Sequence, residues 1–284
     1  MSKSASRYST ARSILSPTSG FIASAGFTHS LTPARNCTYG CTYCYVPTMR
    51  VQGGLKPEDW GHWGQFTTFK ENAAELVARQ ARPQQLIYCS PLTDPYQPAE
   101  REAVLMPAIL RALIQHPPKV FVIQTRGPLI VRDLELLCEL NRLTSFRISF
   151  SLTTNWDDVR RWYEPHCEPL EERLAAVRRL RDAGLRVFAT LAPILPCQPE
   201  ELAAQALAAT CENIIGDPFH VRAVKRQGAT TRPQAWRVSE VRGFLLWHDP
   251  PFQQEVIERI GKVVNKAGRA FATGPEGFQW LAQP

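Results

Sequence analysis

No apolar run in this 284-residue chain approaches the roughly 20 residues of a membrane-spanning helix, which argues against a helical membrane protein. No internal repeat or low-complexity tract stands out. No glycine-rich fingerprint follows the first predicted strand, which weakens a dinucleotide-binding, doubly wound sheet. The opening "MSKSASRYSTARSILSPTSGF" is basic and serine-rich but lacks the apolar core of a secretory signal. It passes only loosely for an organelle transit peptide and is expected to be a poorly ordered arm. Lysine is scarce, since 26 of the 33 basic residues are Arg. The eight cysteines include no second CxxC, and no HxxxH exists, so no closed four-ligand zinc site is evident from local spacing.

What is present is a chain with 44% hydrophobic residues, enough for a sizeable core without disulfides. A reducing, cytoplasmic compartment is the default expectation, with the cysteines serving as ligands or core thiols. The net charge of +7 suits a polyanionic partner such as nucleic acid. It suits Arg-rich solvated helix faces equally well, "AAVRRLRDAG" being one.

From residue 27 onward, short apolar runs alternate with amphipathic stretches. Strands are predicted at 27–33, 85–90, 119–125, 146–154, 185–194 and 213–221. Helices are predicted at 68–81, 99–116 (kinked at Pro107), 131–143, 169–184 and 199–211. About six β-then-α units of this kind imply an α/β fold, a parallel sheet curled into a full or partial barrel. The expected organisation is an arm over 1–26, a core over 27–222, and a small C-terminal cap over 223–284.

Cys37-x3-Cys41-x2-Cys44 follows the first strand, inside "NCTYGCTYCY". Thiolates select zinc or iron–sulfur clusters. The other five, Cys89, Cys138, Cys167, Cys197 and Cys211, are scattered singly, mostly in apolar runs, and read as core thiols. Three ligands suit a four-iron cluster with one iron open to a non-protein ligand. A three-cysteine zinc site is the other reading.

CxxxCxxC with Tyr43 just before the last cysteine resembles the signature of the radical SAM superfamily. The loop, "SPLTDPYQPAE" (90–100) and "EPHCEPLEERLAAVRRLRDAGLRVFATLAPILP" (164–196) together resemble its spore photoproduct lyase-like group. The resemblance implies a partial (β/α)6 TIM-like barrel. It implies a 4Fe–4S cluster on Cys37, Cys41 and Cys44, with S-adenosylmethionine chelating the fourth iron. One electron from the cluster would cleave the sulfonium to a 5′-deoxyadenosyl radical, and an electron donor such as flavodoxin or ferredoxin would serve as reductant. Ser90, Thr93 and Asp94 would line the place of the methionine amino group, although an Asp-Pro turn explains them too. Arg126 stands where related proteins often carry a Lys that pairs with the methionine carboxylate.

Ser149 and Ser151 lie two apart and face one side of their strand, toward cofactor or core. Arg173 either reaches the cofactor carboxylate or pairs with Glu164. In the lyase group a cysteine near residue 91 returns a hydrogen atom to product. Cys89 appears out of register with that donor, the weaker of its two readings, and is otherwise a strand thiol. Trp60, Trp63 and Phe66 either shield a cluster or stack bases. "VKRQ" (224–227) and "RPQAWRV" (232–238) offer Arg–aromatic interleaving for phosphates. The substrate expected first is a nucleic-acid base or nucleotide. A small molecule or peptide comes next, and a non-catalytic metal- or RNA-binding barrel forms the alternative class.

Overall fold

The computed structural model describes residues 5–49, 55–220 and 231–284. Its strands are β1 (Ala5–Ser9), β2 (Leu15–Pro17), β3 (His29–Leu31), β4 (Ala34–Arg35), β5 (Phe66–Lys70), β6 (Leu86–Cys89), β7 (Val120–Thr125), β8 (Ser145–Ser151), β9 (Val187–Leu191), β10 (Ile214–Gly216) and β11 (Phe271–Thr273). The large sheet has the order β11-β10-β9-β8-β7-β6-β3-β2. Every neighbouring pair in it is parallel except β2 with β3. Helices Met106–Gln115, Leu134–Asn141, Leu170–Asp182 and Pro199–Ala209 connect successive strands, as βα units require. Among the described residues no ladder joins β11 to β2, so the sheet is open, as in a partial barrel.

The six predicted strands of the core correspond to β3 and β6 through β10. Their side chains alternate between two apolar layers, as expected of strands covered on both faces. Phe121, Ile123, Ile148, Phe150 and Val187 join the core under the helices. Tyr88, Val120, Val122, Phe188 and Ile215 face the other way, into the concavity.

Four expectations change. The stretch 68–81 is not one helix: Phe66–Lys70, rich in Thr and Phe, is strand β5, and the helix begins at Ala73. The helix 99–116 does not bend at Pro107. It splits at Val104, whose φ is +49°, and Pro107 sits in the first turn of a new helix, where its missing N–H costs nothing. The arm is ordered from residue 5, because β1 pairs with β5 and β2 with β3; short serine-bearing strands carry no visible alternation. The tail is more than a cap. β11 extends the main sheet beside β10, and helix Gly274–Ala282 pushes Phe278 and Leu281 into the concavity. Arg147, buried on the same concave side, donates to the Leu281 carbonyl at 3.3 Å.

Candidate functional site

The cysteine loop is shaped by local chemistry before any ligand is considered. Asn36 adopts φ +63°, a conformation Asn tolerates. Its Oδ1 accepts from Cys37 N–H at 2.7 Å and Gly64 N–H at 3.0 Å, and its Nδ2 donates to the Asp59 and His62 carbonyls. Gly40 and Gly64 pass so closely that a Cβ on Gly64 would lie 2.8 Å from the Gly40 Cα. Thr38 N–H donates to Gln97 Oε1 at 2.7 Å, which also accepts from Thr67.

Cys37 and Cys41 are buried and Cys44 is half-buried. Burial pushes the Cys37 thiol up despite N–H groups of Asp94 and Tyr39 directed at it. Burial likewise raises Cys44 to about 11, against the pull of the Val46 N–H. Cys41 goes the other way. A hydrogen bond from the Cys167 thiol, and then the Arg126 guanidinium, favour its thiolate. Arg126 Nη1 lies 3.6 Å from Cys41 Sγ. Among the described residues no three His, Cys, Asp or Glu side chains are grouped as ligands of one ion. The donor chemistry nonetheless fits an iron–sulfur cluster: soft sulfurs, N–H groups aimed at them, and buried thiols that lose their protons to a metal.

The turn 163–168 clamps the loop residue by residue. The Tyr163 carbonyl accepts from Thr42 N–H at 2.9 Å. Tyr43 OH donates to Glu164 Oε1. His166 lies under Gly40, Cys167 against Cys41, and Glu168 Oε2 accepts from Tyr39 OH at 3.2 Å. Glu164 is the hub. It accepts from Arg126 Nη1 at 2.5 Å, Arg173 Nη1 at 3.1 Å and Thr153 Oγ1 at 2.7 Å. Burial alone would raise its carboxyl, but Arg126 and Arg173 outweigh it and hold the group at about 2.

The strand ends supply the remaining polar groups. Asp94 is half-buried and accepts from Tyr96 N–H (2.9 Å), Thr125 Oγ1 (2.6 Å) and Arg126 N–H (2.8 Å). Ser90 and Thr93 hydroxyls are buried 3.5 Å apart. Ser149 Oγ bonds Thr190 Oγ1 at 2.7 Å on the concave side, while Ser151 Oγ is buried with no partner among the described residues.

With that geometry in place, residues 31–207 match the family model of the Radical SAM superfamily. The chain belongs to that superfamily. The family's cofactors are a 4Fe–4S cluster and S-adenosylmethionine. An uncharacterised protein of Methanocaldococcus jannaschii is 27% identical over 56% of this chain and 58% of its own length. One of Mycobacterium tuberculosis is 29% identical over 60% of this chain and 50% of its own length. The chain thus spans about half the length of these relatives. A spore photoproduct lyase variant superposes with TM-score 0.63 at 14% identity, covering 94% of this chain and 81% of that one. Another, with bound AdoMet and dinucleoside spore photoproduct, gives 0.62 at 13% identity, with the same coverage of both chains. At such identities the likeness is one of fold.

Measured against a radical SAM site, the sequence expectations divide. Cys41, Tyr43 and Arg126 come together, with Cys37 and Cys44 in the same loop and Asp94, Ser90 and Thr93 at the neighbouring strand end. Asp94 also forms the turn expected as its alternative reading, through Tyr96 N–H. Arg173 is committed to Glu164 and to the Ser151 carbonyl, fully buried, so it is the structural partner and not a free cation.

Cys89 is not placed as a donor. It is fully buried on the helix-facing side of β6 with Ile87, opposite Tyr88, whose hydroxyl donates to Gln124 in the concavity. Phe66 is held in β5, the middle strand of a separate three-stranded sheet β1-β5-β4, with the Arg7 guanidinium 3.7 Å over its ring, so it offers no stacking face. Trp63 packs on the core, and Trp60 lies in helix Pro57–Gly61. Trp236 stacks on His248 at 5.2 Å between centroids, while the 224–227 stretch lies outside the described residues. Sequence reasoning missed Cys167, read as a core thiol, because 126 residues separate it from Cys41 and nothing in the spacing links them. Its place three residues after Glu164, inside the stretch that resembles the lyase-like group, was the available hint.

Proposed function

We propose that Cys37, Cys41 and Cys44 hold a 4Fe–4S cluster whose fourth iron takes S-adenosylmethionine, and that the enzyme acts on a nucleic-acid base or nucleotide. The observation that carries the first half is the loop itself: three thiols with N–H donors aimed at them, lying beside a polar strand-end face. When bound, the cluster supplies the electron that cleaves the sulfonium to methionine and a 5′-deoxyadenosyl radical. The chain's residues bind and orient. Asp94, fixed by three donors yet half-exposed, accepts the methionine ammonium together with Ser90 and Thr93. Arg126 uses one nitrogen on Tyr43 and Glu164 and keeps other N–H groups for the carboxylate. The unpartnered Ser151 hydroxyl supplies a further polar contact in the concavity.

The substrate half rests on the net charge of +7 and on the dinucleoside lesion bound in the similar lyase structures. A small molecule or peptide is the competing substrate class. Anaerobic reconstitution tests the cofactor reading: about four irons and four sulfides per chain are expected, with 5′-deoxyadenosine formed under dithionite. A colourless zinc protein that leaves S-adenosylmethionine intact refutes it. A gel-shift series in rising salt tests the substrate reading. Affinity for a DNA or RNA oligonucleotide should fall steeply with salt, and absence of binding at low salt sinks it.

A further inference from the structure

We propose that Gln97 is a positioning residue for the cofactor. Its side-chain oxygen pins Thr38 of the cysteine loop to the segment that carries Asp94, and so sets the loop's place relative to the acceptor of the methionine ammonium. The inference rests on the cofactor reading just made.

Gln97 Oε1 is a shared acceptor. Thr38 N–H reaches it at 2.7 Å, Thr38 Oγ1 at 3.1 Å and Thr67 Oγ1 at 2.6 Å. Thr38 Oγ1 in turn accepts from Ala99 N–H at 3.2 Å. Thr38 follows Cys37 directly, and Gln97 sits three residues after Asp94. The turn between those two is tight: Gln97 N–H donates to the Asp94 carbonyl at 3.4 Å, and Tyr96 N–H to the Asp94 carboxylate at 2.9 Å. Thr67 belongs to β5, whose partner β4 leads into the cysteine loop at Asn36. One oxygen thus joins loop, cofactor segment and sheet.

The latch is dry. Thr67 is 0% exposed, Gln97 1% and Thr38 3%, so water does not replace a lost bond. Removing the oxygen leaves three buried donors unpaired, two of them in the loop. The amide also accepts without adding a formal charge beside the thiolates.

The methionine end of the cofactor must meet the loop's open iron and Asp94 at once. Both contacts form only if loop and acid keep one spacing. A loop that drifts still holds iron on its cysteines but binds the cofactor less well.

The experiment uses reconstituted full-length wild type, Gln97→Met, Thr38→Val, Thr38→Ser and, as a destabilised control, Phe278→Ala from the apolar layer under the last helix. Titrating the change that S-adenosylmethionine makes in the EPR spectrum gives each Kd. Hydrogen exchange at the Thr38 amide is read in the metal-free chains. Gln97→Met should keep wild-type iron content, bind the cofactor about tenfold more weakly and exchange Thr38 about tenfold faster. Thr38→Val keeps the N–H bond and should weaken binding about threefold, which reads the latch even where Gln97→Met does not fold. Thr38→Ser restores the hydroxyl and should match wild type, as should Phe278→Ala. Unchanged affinity in Gln97→Met and Thr38→Val overturns the inference, as does an equal loss in Phe278→Ala. Loss of iron from Gln97→Met overturns it in favour of ligand placement. A Thr38 amide unprotected in wild type overturns the latch alone, whereas a wild-type chain that takes up no cluster refutes the ligand assignment, and this inference with it.

Discussion

The concave face of the sheet has two halves of opposite character. Toward the amino end of β7 it is apolar and filled by the chain itself: Val120 and Val122 lie in one layer with Phe278 and Leu281 of the last helix, joined by Phe188 and Ile215, which stand level with Ser149 and Thr190. Toward the carboxyl ends it is polar: Gln124, Ser149, Thr190, Ser151, Asp94 and Arg126, with the cysteine loop beside them. Strands β7 and β9 contribute to both, through Val122 and Gln124 and through Phe188 and Thr190. The same alternation that puts Val122 in the plug puts Gln124 two residues on in the polar half. One half is built to stay shut, and the other keeps hydrogen-bonding capacity unspent, as Ser151 shows. Stability and chemistry are thereby separated along a single surface, as in barrels whose sites sit at the carboxyl ends of their strands.

Substitutions should separate the halves in the same way. The largest expected effect is that of Cys41→Ala. Cluster iron and 5′-deoxyadenosine should both fall to background, while the unfolding free energy of the metal-free protein changes by no more than about 1 kcal/mol. Glu164→Ala should come next. It strands two buried guanidinium groups, Arg126 and Arg173, and removes the hub of the clamp. A loss of about 3–5 kcal/mol in urea unfolding is expected, together with reduced cluster occupancy. Phe278→Ala strikes only the apolar half. It should cost about 3–5 kcal/mol and leave iron content and cofactor cleavage per folded chain unchanged. Loss of the cluster in that variant would dissolve the distinction between the halves.

A smaller effect depends on pH. His248 is buried between Phe219 and Trp236, its Nε2 2.7 Å from Ser239 Oγ, and burial lowers it from 6.5 to about 4. Its folded value lies below the unfolded one, so the unfolded chain binds the extra proton first. Its contribution is therefore full above pH 6.5 and lost as pH falls toward 4. Unfolding free energies from urea titrations across that window should drop by no more than about 3 kcal/mol from this residue. His248→Gln should flatten the slope. The smallest effect is that of Thr190→Val, which removes the partner of Ser149 and should cost about 1 kcal/mol.

The sequence exposed the βα alternation well, because short apolar runs bracketed by amphipathic helices carry a strong period. It exposed the cysteine loop for a different reason: the motif is local, whereas Arg126 came only through the family resemblance. What it hid is short or non-local. β1, β2 and β11 are strands of three to five residues, and β1 and β11 are stabilised by partners far away in the chain. The Thr-Phe run of β5 was absorbed into the helix that follows it. The clamp 163–168 depends on pairings across more than 120 residues, such as Tyr43 with Glu164, that no spacing rule reports. Cys167 shows the cost most clearly, since composition alone made it a core thiol.

The central claim is an open iron beside Cys37, Cys41 and Cys44. The direct measurement is the EPR spectrum of the reduced, reconstituted protein before and after S-adenosylmethionine is added. The account predicts a 4Fe–4S signal that changes on addition and is absent from Cys41→Ala. A signal indifferent to the cofactor, or no iron–sulfur signal at all, would contradict it.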